Sequence, residues 1–356
     1  MGDAKRPKLS WDWGTAYDLF VSLHVLHKPD QFGLRGSWAA GVRSRLQTSE
    51  REVLEDAQLL VALPIYWVYK LPDPKDCATA LWTLGQIPAR DRLQALAIAP
   101  ETPIQATELL MDVAQRRSWN ENDQETLRVV SHQEKGHSPR PKELATVLDW
   151  WVRADEFGEI YLAALQSYYQ VFFAEEENRT RPALQQSLER AQALAEKMEV
   201  PVLVEELSQG LRFASLPELT DLILAPSYWS TPLVVFTQLS PQSMLLVFGG
   251  RPAEAGLVPG EVVPDAMLRS LKALADPTRL KILHYLTEKP HTPAQLSRQL
   301  RLRAPTVIHH LNALRLAGLV YLTLESEGER HYAIRTEMVG ITCANLQEFL
   351  RENTAA

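Results

Sequence analysis

Seven side chains near the end of the chain have the types and spacing to read a nucleic acid: Arg303, Thr306, Ile308, His309, Asn312, Arg315 and Arg330. If Val307, Leu311 and Leu314 form the buried stripe of a helix opened by Pro305, the opposite face shows Thr306, Ile308, His309, Asn312 and Arg315. Hydroxyl, imidazole and carboxamide groups hydrogen-bond to base edges or phosphates, and an isoleucine can touch a thymine methyl. Arg303 and Arg315 suit phosphate, and Arg330 offers a cation near the tip of a hairpin. Any one of these residues alone reads equally well as solvated surface; their grouping is the signal. His310 adjoins the stripe and reads as a packed core histidine.

The elements that would hold this face are written in local signals. Asp276 is an expected N-cap with Pro277 at the first helical position, and Leu280, Leu283 and Leu286 make one apolar face. Thr292-Pro293-Ala294-Gln295 is a capping box for a second helix that buries Leu296 and Leu300. A turn at 301–304 leads to the third helix, which Gly318 ends. Strand-like Tyr321–Leu324 and His331–Ile334 flank Ser326-Glu327-Gly328-Glu329, a hairpin turn, and Thr336–Arg351 forms a last helix. Helix, short turn, helix and hairpin make a winged helix-turn-helix, whose second motif helix enters the major groove.

The runs LADPTRLKILHYL, TPAQLSRQL and PTVIHHLNALRLAGLV resemble the ArsR-type family of bacterial transcriptional regulators, over roughly residues 264–351. The resemblance implies homodimers that pair through the first and last helices of the module, palindromic operator DNA as partner, and repression. The departures matter too. Many members sense metal through Cys-x-Cys on the first helix of the motif; here Ala294–Leu300 has no thiol. Others use His and Asp on the last helix; here Thr336–Arg351 has no histidine and the lone Cys343. A transition-metal site needs three or four soft or imidazole ligands, so no metal is expected at these places. Arg303 stands where the family often has a capping serine. Glu325, Glu327 and Glu329 would repel phosphate from the wing.

Charge divides the chain in the same way. Among 356 residues, 37 Lys and Arg face 44 Asp and Glu, a net −7. Residues 264–356 carry twelve Lys and Arg against nine Asp and Glu, +3, which leaves −10 for the rest. A mildly basic reader on an acidic body is expected, with the site doubled by dimerisation.

The fold class expected is mostly α: a large helical N-terminal domain with a small antiparallel β element, then the winged helix-turn-helix. The boundaries are 1–216 for the helical domain, with a subdomain break at 131–141; 217–263 for the β element and a Pro/Gly linker; and 264–356 for the DNA-binding and dimerisation domain. Leu222–Ala225, Leu233–Phe236 and Met244–Phe248 are the short apolar runs behind the β expectation. Two cysteines, Cys77 and Cys343, fit a reducing cytoplasm rather than a disulfide framework. The first residues lack the apolar core of a signal peptide, and the run 59–68 is broken by Pro64 and too short to span a bilayer.

Chemistry in the body is sparse. Gly249-Gly250 lacks the rest of a phosphate-loop pattern and reads as a turn. His24 and His27 share a helix, but two ligands make no metal site. The aromatic stretch 150–173 reads mainly as core; its alternative is an apolar effector pocket at Trp150, Trp151, Tyr168 and Tyr169. No triad order, carboxylate pair or cofactor loop stands out, so no enzyme and no cofactor are expected. The expected function is a cytoplasmic repressor controlled by a non-metal ligand or partner at the N-terminal domain, with a small-molecule effector as one form. The alternatives are a bifunctional regulator with an enzymatic body, a scaffold that only sets dimer geometry, and a redox sensor through Cys77 or Cys343.

Overall fold

Helical patterning dominates the first two hundred residues, and the chain folds accordingly. A computed structural model describes residues 7–61, 63–135, 139–252, 255–258, 263–325 and 329–352. Strand β1 (Lys8–Trp11) precedes α1 (Thr15–His27). Then come α2 (Gly36–Arg43), α3 (Thr48–Leu60), α4 (Ile65–Tyr69), α5 (Cys77–Gln86), α6 (Ala89–Ala97), α7 (Ile104–Arg116), α8 (Glu121–Lys135), α9 (Pro141–Val152) and α10 (Ala154–Tyr168). A single π turn, Tyr169–Phe173, joins α10 to α11 (Ala174–Ala195), and α12 (Val200–Leu207) follows. Residues 131–135, expected to open a loop, are the last turn of α8, while 136–138 lie outside the described residues.

Strands β2 (Leu211–Phe213), β3 (Asp221–Ser227), β4 (Val235–Ser240) and β5 (Ser243–Gly249) come next. Two of the three apolar runs read from sequence are strands and the third, Leu233–Phe236, enters β4 only at Val235; the sheet is mixed, not antiparallel. Its order is β1-β3-β5-β4, with β3 parallel to both β1 and β5, and only β4 antiparallel to β5. The reason is burial on both faces. Ile223, Ala225, Leu245 and Val247 join the large helical core, while Leu222, Leu224, Met244, Leu246 and Phe248 pack on Ala191, Leu203 and Val204 of α11 and α12. Continuous apolar runs, rather than alternation, are the mark of such doubly covered parallel strands. The N-terminal strand β1 also puts residues 8–11 into a sheet otherwise built from 221–249.

Polar groups inside the body tie distant segments. The Asp18 carboxylate, fully buried on α1, accepts from Ser227 Oγ at 2.5 Å and from the backbone N–H of Tyr228 and Trp229 at 2.9 and 3.1 Å. Thr15 donates to Glu177, and Lys75 Nζ bonds Asp12 at 2.7 Å.

Of the four aromatic residues read as core or, alternatively, as an effector pocket, Trp151 and Tyr168 are buried and Trp150 and Tyr169 half-buried. Trp151 and Tyr168 are buried core, Tyr168 OH meets Ser22 Oγ at 2.8 Å, and Phe157 and Tyr161 stack at 5.1 Å. Trp150 Nε1 donates to Asp56 at 2.8 Å and Tyr169 OH to Glu177 at 3.0 Å.

The remaining elements are α13 (Asp265–Leu274), α14 (Pro277–Glu288), α15 (Pro293–Leu300), α16 (Ala304–Leu316), β6 (Val320–Leu324), β7 (Arg330–Ile334) and α17 (Thr336–Glu352). They share a separate core that includes Ile282, Leu286, Leu296, Val307, Leu311, Leu314 and Tyr332. Among the described residues no helix is long and apolar enough to cross a membrane.

Candidate DNA-binding site

The site is assembled by local caps. Asp276 Oδ1 accepts from the N–H of Thr278 and Arg279 at 2.8 and 2.9 Å, and the Arg279 amide above all holds its carboxyl below the ordinary range. At α15 the capping box is reciprocal: Thr292 N–H to Gln295 Oε1 at 2.8 Å, Gln295 N–H to Thr292 Oγ1 at 3.3 Å. Such caps are each worth about 1 kcal/mol of helix stability. The turn between α15 and α16 is set by Arg301 in the left-handed region, φ 56°, and by Ser297 Oγ donating to Leu302 O at 2.6 Å. Arg303 occupies the N-cap position of α16 in an extended conformation and makes no side-chain cap. Gly318, at φ +70°, lets the chain leave α16 for the wing.

The recognition helix buries Val307, Leu311 and Leu314, which turns Thr306, Ile308, His309 and Asn312 outward. Arg303 is exposed at its start and Arg330 at the first residue of β7. His310 is half-buried, 3.9 Å from Asp276, and burial pushes its imidazole pKa down. Two cations absent from the sequence reading, Arg298 and Arg301, are exposed beside the turn. Their basic side chains on the motif's own turn were the available signal. β6 and β7 pair antiparallel from Val320↔Ile334 to Leu324↔Arg330. The tip, 326–328, lies outside the described residues.

Arg315 does not belong to this face. It is 6 % exposed and points to the body, donating to the carbonyls of Gln209 at 2.9 Å and Ser208 at 2.6 Å. Burial, then the charge of Arg335, pushes its pKa down to about 10. The α16 stripe is wider than the three aliphatic residues that defined it, because the body covers a second strip of the helix. Arg335 also donates to Gln209 O, at 3.0 Å, and β2 adds in parallel to β6, giving the order β2-β6-β7. Tyr321 of β6 lies under Arg212 of β2, with ring and guanidinium 3.9 Å apart. The body is thus joined to the wing through backbone pairing and two arginines.

Other chemistry-bearing residues sit apart. His24 Nδ1 bonds Gln58 and His27 Nδ1 bonds Leu23 O. Cys77 is buried and Cys343 exposed. Among the described residues no three His, Cys, Asp or Glu side chains converge on one point.

Residues 276–321 match the family model described as "Bacterial regulatory protein, arsR family". Over 71 residues the chain is 41 % identical to the HTH-type transcriptional regulator CmtR of Mycobacterium bovis, covering 20 % of this chain and 60 % of that protein. Over 59 residues it is 41 % identical to an uncharacterized HTH-type transcriptional regulator of Methanocaldococcus jannaschii, covering 17 % of this chain and 62 % of the relative. The crystal structure of an ArsR family transcriptional regulator aligns with 26 % identity and a TM-score of 0.23, over 26 % of this chain and 96 % of that one. The chain thus spans about 60 % of the length of the curated relatives it matches. Caps, turn, wing and sequence match agree on one conclusion: residues 276–321 form an ArsR-family helix-turn-helix domain, a DNA-binding domain carried by a much larger body.

Proposed function

We propose that the whole chain is a cytoplasmic transcriptional repressor that binds palindromic duplex DNA as a homodimer and is released by a non-metal ligand or partner acting on the body. The observation that carries this reading is the outward face of α16. Thr306, His309 and Asn312 stand together for base edges, with Arg298, Arg301 and Arg303 beside them for phosphate. Dimerisation is supported by apolar side chains left outside on α17, Ile341 and Leu350 at 46 % and 61 % exposure, and by the family's usual pairing. A dimer sets the two recognition helices one helical turn apart.

Control is supported by the junction. Because β2, Arg315 and Arg335 join the wing to the body, a ligand that shifts the body shifts the reader, and with it the half-site spacing. In this reading the body senses and performs no catalysis. The test is selection of bound duplexes by the full chain, followed by a salt titration of the selected site. A palindromic consensus and affinity that falls steeply with salt are expected. Equal binding to random and selected duplexes would rule the reading out.

A further inference from the structure

A cavity of about 540 Å³ lies at the seam between the body and the winged domain. Its walls come from both sides: α11 and the 249–252 segment of the body, α13, the end of α16 and α17 of the reader. That volume lies within the range of small-molecule sites. Gly249 lets the chain pass against Thr231, and Gly250 lets it pass against α11. A Cβ on Gly250 would stand 2.8 Å from Ser187 Oγ, so the glycine pair is a packing device rather than a phosphate loop.

Two guanidinium groups in the wall have no carboxylate within salt-bridge distance among the described residues, and Asp265 is the acid whose charge reaches both. Arg251 is 7 % exposed; its Nη2 donates to Thr231 O at 3.1 Å, while its Nη1 has no hydrogen-bond partner among the described residues. Arg269, on α13, makes one long contact to Phe32 O at 3.5 Å, and its Nε has none. Burial and then Arg269 push the Arg251 pKa down to about 10, and burial lowers that of Arg269 against the pull of Asp265. The nearby acids are Asp265, which accepts from the Leu257 N–H at 3.1 Å, and Glu206 at the cavity wall. A third cation, Arg190, is exposed and also lines the cavity. From the reader the lining is mixed, with Met267, Leu316, Met338 and Ile341 beside Ser270, Thr342 and Asn345.

Buried arginines without carboxylate partners are costly, and planar guanidinium groups match the two oxygens of a carboxylate or phosphate. We propose that this seam cavity binds a small organic anion, its oxyanion head held by Arg251 and Arg269 and its apolar body against the α13, α16 and α17 side chains. The proposal deepens the regulatory reading, on which its consequence for DNA rests. An occupant touches both the body and the helices that flank the motif, so it alters how the reader is held.

The test uses the full chain in calorimetry with hexanoate, octanoate, 4-phenylbutyrate and phenyl phosphate, each beside a neutral counterpart: the primary amides of the three acids, and phenol. At least one anion is expected to bind at least about tenfold tighter than its neutral counterpart. Carboxylate and phosphate arms separate the two sources of the oxyanion head. Arg269→Gln is expected to abolish that preference while leaving the unliganded melting temperature unchanged or raised, because it removes a like charge beside Arg251. Arg269→Lys is expected to retain part of the binding. If Arg269→Gln does not fold, Arg190→Gln, at an exposed position, is expected to weaken the anion by a smaller factor. Failure of every anion to outbind its neutral counterpart, or anion binding indifferent to the substitutions that fold, overturns the proposal. DNA binding, read separately by anisotropy without ligand, keeps the two claims apart. Loss of operator binding with anion binding intact sinks the regulatory reading alone, and the reverse sinks only the site.

Discussion

The reader and the body use polar side chains in opposite ways. On α16, Thr306, His309 and Asn312 face solvent, and the helices beneath are fixed by caps between residues two or three apart, such as Asp276 with Thr278 and Arg279. In the body the polar groups go inward and their partners are remote: Asp18 with Ser227, Thr15 with Glu177. A surface that must meet another molecule keeps its donors free, and local capping holds it ready. The buried groups of Asp18 and Thr15 are spent on architecture, holding α1 to segments far along the chain. Arg315 is the exception that links the two, a residue of the recognition helix whose hydrogen bonds belong to the body.

The largest effect expected follows from that exception. Arg315→Ala strips charged donors from two carbonyls at a buried position and should cost roughly 2–4 kcal/mol in chemical denaturation of the full chain. Arg303→Ala, at an exposed position, should leave stability unchanged and weaken DNA binding to all sequences alike. If Arg315→Ala instead behaves like Arg303→Ala, the junction is not what holds the wing. Next, His309→Ala and Asn312→Ala should each lose about 1–3 kcal/mol of discrimination between base pairs without a change in melting temperature. An unchanged selected consensus in both variants would show that this face of α16 does not read bases.

A smaller effect concerns acid. Burial, then Lys28, holds His24 down to about 4, so between pH 6.5 and 4 the unfolded chain takes up a proton that the folded ring refuses, and stability is lost as pH falls. Asp18 acts in the opposite sense. Its burial raises its pKa from 3.8 to about 6, so the folded state gains as pH falls through that window. His24→Gln removes the first contribution only. Its stability relative to the unsubstituted protein should therefore rise by about 1 kcal/mol from about pH 7 to about pH 4.5, a figure reduced for the half-exposed ring. A parallel pH profile for the two proteins would mean that His24 does not titrate as its burial implies. The smallest effect is none at all: zinc or cadmium at stoichiometric excess should leave DNA affinity unchanged. A metal-dependent loss of binding would overturn the expectation of no metal sensing.

Much of the reader was legible in the sequence because its determinants are adjacent. Thr292 and Gln295, Pro305 and Gly318 carry their structural meaning within three or four residues, and the aliphatic spacing on α16 fixed which side faces out. The same spacing could not reveal that α16 has a second covered strip, since the covering carbonyls of Ser208 and Gln209 lie about a hundred residues earlier. The aromatic stretch 150–173 showed the opposite limit. A dense run of rings is the same string of letters whether it lines a pocket or fills a core, and only the fold shows that Trp151 and Tyr168 are buried while Trp150 and Tyr169 are half-buried.

The sequence by itself determined the helical class, the order of the reader's elements and its exposed polar face, because helix periodicity and capping are short-range physics. Only the tertiary structure decided that β3 and β5 run parallel between two cores, that β2 extends the wing's sheet, and that Arg251 and Arg269 line one cavity. Each of these depends on which distant surfaces cover a segment. Burial on one face or two, and a charge with or without a partner, are properties of the neighbours in space and not of the neighbours in the chain.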